Sequence, residues 1–214
     1  MARTTPGIPA TPAKDVTQVE RVGGHPALDF ANTVSWRAQD REIDYLRDHA
    51  ALIAWSCSAG LMTAREAQRL ERHARTQPRH AGAALARARG LRETIFRIGR
   101  AMARGEAPPA DALERAHAAR VEALRQARIA RTGPGVWAPT WRATPPHLDR
   151  PWWPVAAAFA TVLEHPEPHP LGVCPDCSWL FLDTSHNRSR RWCSSGDCGN
   201  RARGRRFRAR HAST

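Results

Sequence analysis

The sequence predicts a mainly α-helical protein: an N-terminal helical domain with a short β element, followed by a small module of a β-hairpin and a helix. Apolar residues recur at helical spacing over the first three quarters of the chain. Four of the five cysteines lie in the last quarter, in the order C-x2-C-x15-C-x4-C. A stretch rich in Pro and His at 165–170 separates the two regions and predicts a domain boundary.

The opening segment, residues 1–18, is rich in Thr and Pro and cannot bury enough apolar surface to offset its ordering entropy. We therefore expect a disordered tail, then a helical domain at 20–168 and the cysteine module at 171–211. The sequence shows no signal peptide and no apolar run long enough to cross a membrane. These observations predict a cytoplasmic protein whose cysteines are reduced and available to a metal.

The first long helix is predicted from an apolar stripe. Leu46, Ala50, Ile53 and Cys57 fall at i, i+4, i+7 and i+11, and Gly60 is expected to end the helix. On this interpretation Cys57 is a core residue with no metal or redox role.

Two further helices follow. Thr63 and Glu66 have the spacing of a capping box, which predicts a helix from there to about Arg75. A longer helix is predicted next and should end before Gly105 and the following proline pair. Its apolar stripe comprises Leu85, Ala88, Leu91, Ile95, Ile98 and Met102.

A fourth helix is expected at about 110–130. Its inward residues are predicted to be Leu113, Val121 and Leu124. Alternating residues at 136–143, with Trp137 and Trp141, indicate a short hairpin or strand. Pro151 stands at a favourable first helical position, which predicts a last helix of this domain at 152–164.

The cysteine spacing indicates one structural zinc ion bound by Cys174, Cys177, Cys193 and Cys198. Four thiolates fill a tetrahedral shell and leave no coordination position for chemistry, so the sequence predicts that the protein is not an enzyme at this metal. We expect a knuckle at the first cysteine pair, a strand at 178–183, a return strand at 190–192 and a helix opened by Cys198. That order is the treble-clef arrangement of a zinc finger. Because zinc couples to local folding, its removal is expected to leave the helices of the first domain intact.

Positive charge is concentrated beside this predicted metal site. The chain has a net charge of +13, and nine arginines lie from Arg188 to Arg210 with Asp197 as the single acid among them. Arginine binds phosphate with paired hydrogen bonds and can bind a guanine edge. The predicted nucleic-acid-binding residues are Arg188, Arg190, Arg191, Asn200, Arg201, Arg203, Arg205, Arg206, Arg208 and Arg210.

On the terminal helix, Arg201, Arg205 and Arg208 share one face by their spacing. Asn200 has two interpretations, pairing with adenine or capping the helix. Three other residues of the helix, Ala202, Phe207 and Ala209, are expected to contact the hairpin or the first domain.

Two segments carry a family resemblance. Residues 190–193 (RRWC) and 198–201 (CGNR) resemble the CGNR zinc finger, which takes its name from the second tetrapeptide. Residues 28–33 (LDFANT) and 52–61, with Trp55 and Gly60, resemble the ABATE domain that precedes this finger in bacterial proteins. The resemblance covers about residues 20–211. It implies a bacterial transcriptional regulator of stress responses whose finger binds DNA.

A polar patch in the helical domain has two explanations. His25, Asp29 and Asn32 could line a small-molecule pocket, or Asp29 and Asn32 could fix a helix end while their neighbours fill the core.

The leading hypothesis is a DNA-binding transcriptional regulator whose helical domain senses a ligand or partner. An RNA-binding protein is the first alternative. A small-molecule-binding protein or enzyme with its site in the helical domain is the second. Dimerisation through the helical domain and the identity of any effector stay open.

Overall fold

The computed structural model describes residues 15–142, 144–164 and 171–211. These ranges contain seven α-helices and three two-stranded antiparallel sheets, which confirms the mainly α-helical prediction. The helices are α1 Pro26–Ala31, α2 His49–Ser58, α3 Ala64–Thr76, α4 Pro78–Ala103, α5 Ala110–Gln126, α6 Trp153–Glu164 and α7 Asn200–His211. The strand pairs are β1 Val34–Ser35 with β2 Ile43–Asp44, β3 Ala127–Gly133 with β4 Val136–Trp141, and β5 Leu171–Val173 with β6 Leu180–Leu182. None of the helices in the described ranges has the length and apolarity to cross a membrane.

The predicted N-terminal tail and interdomain stretch lie largely outside the described residues. The structure begins at Asp15, whose side chain caps a 3-10 turn at Val16–Gln18. Val16 is buried in the main core, so the chain packs from this residue onward.

Helix α2 differs from its predicted stripe. It begins at His49, where the Asp48 side chain accepts a hydrogen bond from Ala51 N at 2.7 Å. Because the helix begins there, Leu46 is buried ahead of it and Ala50 is exposed, which corrects the predicted stripe. The buried positions are Leu52, Ile53, Trp55 and Ser56. Cys57 is partly buried against the cluster that contains Ile53, in agreement with a packing role.

Helices α3 and α4 match their sequence signals. Thr63 Oγ1 accepts a hydrogen bond from Glu66 N at 3.2 Å, and Glu66 Oε2 accepts one from Thr63 N at 2.8 Å. These two bonds form the predicted capping box. In α4, Leu91, Ile95 and Ile98 are buried in the main core.

Helix α5 buries alanines instead of leucines. Leu113 and Leu124 are 39% and 48% exposed, so their predicted inward orientation is wrong. The buried residues are Ala112, Ala116 and Ala123. Small side chains let α5 approach α4 and α6 closely, and that gain of contact outweighs burying longer side chains farther from the core. The helix ends at Gln126, earlier than expected, and the chain continues as β3.

The C-terminal hairpin shares a core with the helices. Leu180 of β6 is fully buried in the same cluster as Phe30 of α1 and Ile95 of α4. Gly99 on α4 faces this hairpin: a Cβ there would lie 2.7 Å from Leu180 Cδ1 and 3.3 Å from Leu171 Cδ2. The absence of a side chain at Gly99 therefore allows the hairpin to lie directly on α4.

Two glycine substitutions on α4 should have opposite effects. Gly99→Ala is expected to lower the free energy of unfolding by about 1–3 kcal/mol, because the methyl group overpacks a fully buried site. Gly90→Ala is the matched control, since a Cβ there meets no atom within 4 Å. It should raise the free energy of unfolding by about 0.5–1 kcal/mol through helix propensity. Urea denaturation of both variants measures this, and two effects of the same sign would contradict the packing described.

Candidate metal centre and nucleic-acid interface

The first cysteine pair lies in the turn between β5 and β6. Cys174 N donates to Trp179 O at 2.8 Å and Ser178 N donates to Cys174 O at 2.9 Å, which closes a tight knuckle. Strand β6 pairs with β5, with Val173 opposite Leu180. The predicted pairing of 178–183 with a return strand at 190–192 is therefore wrong, because the preceding strand takes that place.

Arg190 explains why the return segment needs no strand ladder. Its guanidinium donates to Leu182 O at 3.2 Å, to Trp192 O at 3.1 Å, to Val22 O at 2.9 Å and to Cys193 O. The same guanidinium lies 4.4 Å from the centroid of the Phe181 ring. The segment before the second cysteine pair is thus fixed to β6 by a side chain.

The second cysteine pair spans a π-helical turn at Ser195–Gly199 that leads directly into α7. Cys193 precedes this turn and Cys198 lies within it. Such turns often mark functional sites, because the extra residue redirects a side chain from the regular helical path. Here the turn directs a ligand toward the knuckle.

The four cysteine sulfurs fit one structural zinc ion. The Cys193 sulfur lies 3.4 Å from those of Cys177 and Cys198, and all four sulfurs lie within 4.8 Å of one another. A zinc–sulfur bond of about 2.3 Å gives an edge of about 3.8 Å in a tetrahedron, which falls inside this range. All four cysteines are buried. The donor set is therefore a closed tetrathiolate site, which leaves zinc no open position.

Arg201 supports this site from α7. Its Nη2 donates to Cys198 Sγ at 2.8 Å, and its Nε donates to Asp176 Oδ2 at 2.9 Å. A zinc ion with four thiolates has a formal charge of 2−, so a guanidinium beside one sulfur offsets part of that charge. The sequence analysis assigned Arg201 to nucleic acid, whereas its contacts lie within the module.

Asp176 lies between the two knuckle cysteines and binds two turns of α7. Besides Arg201, its carboxylate accepts from Arg205 at 2.9 Å and pairs with Arg41 of the N-terminal region at 3.4 Å. Burial alone would raise the pKa of Asp176, but the hydrogen bond and charge of Arg201, with the charge of Arg205, hold that pKa below its ordinary value. Asp176 is therefore ionised at neutral pH and orients the helix.

The opposite face of α7 is directed outward. Arg203, Arg206 and Arg210 lie at i, i+3 and i+7 and are all exposed. Phe207, predicted to contact the hairpin or first domain, is 56% exposed instead and lies against the His211 ring at 4.1 Å. Ala209 is exposed as well, so its predicted packing is also wrong. Ala202 is buried as expected.

The remaining predicted nucleic-acid residues occupy the loop and the start of the helix. Arg188 and Arg191 are exposed, and the Arg191 guanidinium lies 5.9 Å from the centroid of the half-buried Trp192 ring. Asn200 is the first residue of α7. Its Nδ2 donates to Gly196 O at 2.5 Å, and its Oδ1 accepts from Arg203. This side chain binds a carbonyl of the π-helical turn and makes no N-terminal cap.

The predicted pocket residues each hold a structural contact. His25 Nδ1 accepts from Ala27 N at 3.2 Å at the start of α1, and Asp29 Oδ1 accepts from Gly23 N at 2.8 Å. Burial lowers the pKa of His25 and raises that of Asp29. These contacts favour the second explanation given above, in which the polar patch fixes a helix end.

Asn32 has a role that sequence reasoning missed. Its Nδ2 donates to Leu180 O at 2.9 Å and its Oδ1 accepts from Leu180 N at 2.8 Å, so the amide pairs with β6 like a neighbouring strand. Trp36 N also donates to Cys177 O at 2.9 Å. Partners 148 residues apart in the chain leave no local signal, which is why the motif at 28–33 gave no hint of this contact.

Comparison with known families agrees with this geometry. Residues 24–166 match the ABATE family model, which is described as "putative stress-induced transcription regulator". Residues 171–211 match the model of the CGNR zinc finger. Neither description is that of an enzyme family. No curated protein matches the chain.

Proposed function

The chain belongs to the ABATE family and carries a CGNR zinc finger at 171–211, and from this premise we propose that it is a transcriptional regulator that binds duplex DNA through α7. The observation that carries the proposal is the division of α7 into two faces. Asp176 binds Arg201 and Arg205 on the inward face, whereas Arg203, Arg206 and Arg210 are exposed on the other. The outward arginines form the proposed DNA-binding face.

The chemistry of this face suits a phosphate backbone. A guanidinium donates paired hydrogen bonds to phosphate oxygens, and release of counterions from DNA drives such contacts. The described residues of α7 contain no acid, and its inward arginines are already neutralised by Asp176. Zinc, β6 and Asp176 together hold the helix, so little ordering of its backbone opposes binding.

The helical domain is proposed to regulate this contact, in the cytoplasm, in response to an effector or a partner protein. Asn32 at the end of α1 pairs with Leu180 next to the zinc site, and Arg41 reaches Asp176. A change in α1 or in the segment around Arg41 would therefore act on the elements that orient α7.

Binding across a salt series tests the proposal. The zinc-loaded protein is titrated with random duplex DNA, single-stranded DNA and structured RNA, each labelled with a fluorophore. If five exposed arginines reach phosphates, the logarithm of the association constant should fall against the logarithm of salt concentration with a slope of about −4.5. The candidates are Arg191, Arg203, Arg206, Arg208 and Arg210.

The expected result is a preference for duplex DNA with that slope, together with enrichment of particular sequences from the random pool. A flat salt dependence would contradict the proposal. Tighter binding to RNA would instead assign the same basic face to RNA, with the Trp192 ring beside Arg191 available for stacking on a base.

A further inference from the structure

The hairpin formed by β3 and β4 extends from the helical domain without a third strand. It follows α5 directly, and the sheet contains these two strands alone within the described ranges. Trp141 at its base packs against the main core, and the turn at its tip contains Gly135 with a φ of +71°. The hairpin is therefore fixed at one end and open to solvent at the other.

One face of this hairpin is exposed and combines apolar with basic side chains. Ile129 lies opposite Pro139, and Arg131 lies opposite Trp137. Cross-strand partners point to the same side of a sheet, so these four side chains share a face. All four residues are exposed, Ile129 at 69% and Trp137 at 67%. A tryptophan and an isoleucine so exposed on a regular ribbon indicate a surface that a partner covers.

The charge of the hairpin identifies the kind of partner. The sequence from 123 to 148 contains no acidic residue, whereas Arg128, Arg131 and Arg142 all belong to the hairpin or its base. All three arginines are exposed. An aromatic side chain flanked by arginine, with no acid nearby, suits a polyanion that also offers apolar surface.

We propose that the β3–β4 hairpin is a second DNA-binding element, which enters the major groove beside the segment contacted by α7. A two-stranded ribbon fits that groove, where Arg131 can bind a guanine edge and Trp137 and Ile129 can contact thymine methyl groups. Arg128 and Arg142 are placed to contact the flanking phosphates. This inference rests on the proposed function, because both elements bind the same duplex.

A second copy of the chain fits this surface less well. Pairing two hairpins would bring together three arginines from each copy, and residues 123–148 supply no acid to neutralise them. Like charges placed opposite each other destabilise a sheet contact. Duplex DNA offers the opposite charge at both sides of the groove.

The hairpin and the zinc module lie at opposite ends of α5. Arg97 of α4 pairs with Asp111 in the first turn of α5 at 2.7 Å, and nearby Gly99 faces β5 and β6. The hairpin follows the other end of this 17-residue helix. At 1.5 Å per residue the separation is about 25 Å, or about seven base pairs at 3.4 Å each. Engagement of both elements thus predicts a footprint longer than the finger alone would give.

The test compares three variants of the full, zinc-loaded protein in duplex binding and hydroxyl-radical footprinting. Arg131→Ala with Trp137→Ala removes two exposed cross-strand neighbours of the hairpin. Leu113→Ala with Arg115→Ala is the matched control, because it removes an exposed apolar residue and an exposed arginine from α5. Arg203→Ala, Arg206→Ala and Arg210→Ala together remove the outward face of α7. Circular dichroism and sedimentation of each variant report its fold and oligomeric state.

The hairpin variant is expected to bind duplex about tenfold or more weakly, with the salt slope reduced by about 1 and the footprint shortened by about seven base pairs. The control should bind like the wild type. Wild-type affinity and footprint in the hairpin variant, with binding lost in the α7 variant, would overturn this inference and leave the proposed function intact. Undiminished binding by the α7 variant would contradict the proposed function itself. A wild-type dimer that becomes monomeric in the hairpin variant, with unchanged DNA affinity per protomer, would assign the hairpin to a second copy and also overturn the inference.

Discussion

Removal of zinc is expected to destabilise the helices as well as the finger. The hairpin between the first cysteine pair and the core contributes Leu180, which is fully buried beside α1 and α4, and it accepts the Asn32 amide. When the knuckle opens, this side chain leaves a cavity and the amide loses both partners. Each loss costs roughly 2–5 and 1–3 kcal/mol respectively. The structure therefore changes the expectation from the sequence, in which the helices stayed intact.

The measurement is thermal unfolding followed by far-ultraviolet circular dichroism, with and without a chelator, and for Cys193→Ser. A loss of about 4 kcal/mol in a chain of this size lowers the midpoint by about 10 °C. Hydrogen exchange should quicken in α1 and α4 as well as in β6. Cys57→Ser is the matched control, because this thiol lies outside the four-sulfur cluster of the described residues. Unchanged exchange in α1 and α4 after chelation would show that the finger folds independently.

Loss of duplex binding is expected when Arg203, Arg206 and Arg210 are replaced together by alanine. All three are exposed on the outward face of α7, and each charge-assisted bond to phosphate contributes about 1.5–3 kcal/mol. Three such losses predict at least a 100-fold weaker association at moderate salt. The slope of the salt dependence should also fall by about 2.7, because three fewer counterions are released.

The control for this variant replaces Arg65, Arg72 and Arg75 of α3, which are exposed and remove the same net charge. It should keep most of the affinity if binding is local to α7. Equal losses in the two variants would mean that the protein binds DNA through its net charge alone. Zinc content and unfolding midpoint should stay at wild-type values in both, since none of the six arginines bonds to the cysteines or Asp176 in the contacts described.

The zinc ligands and the capping box at Thr63 were predictable because their spacing is a local property of the chain. Four cysteines in two close pairs can meet at one ion whatever the rest of the fold does, and a capping box needs only four consecutive residues. The family resemblance of residues 198–201 likewise depends on adjacent letters. Such features survive a wrong prediction of the surrounding strands.

The strand partner of β6 and the buried face of α5 were not predictable in the same way. Both 171–173 and 190–192 could pair with 178–183 by sequence, and only the contacts of Arg190 and Leu171 decide between them. On α5, hydrophobicity favours Leu113 and Leu124, but close packing against two helices favours alanine. An acid inside the knuckle, Asp176, was the available signal that some arginines of α7 face inward.

The contact between Asp176 and α7 sets the rotation of this helix about its own axis. Successive residues of an α-helix differ by about 100° in direction, so the arginines that reach solvent depend on the register between Cys198 and Arg201. Inserting one residue there would keep every arginine and the metal site while presenting a different set to DNA. The length of this short segment, more than the abundance of arginine, then determines which side chains meet the bases.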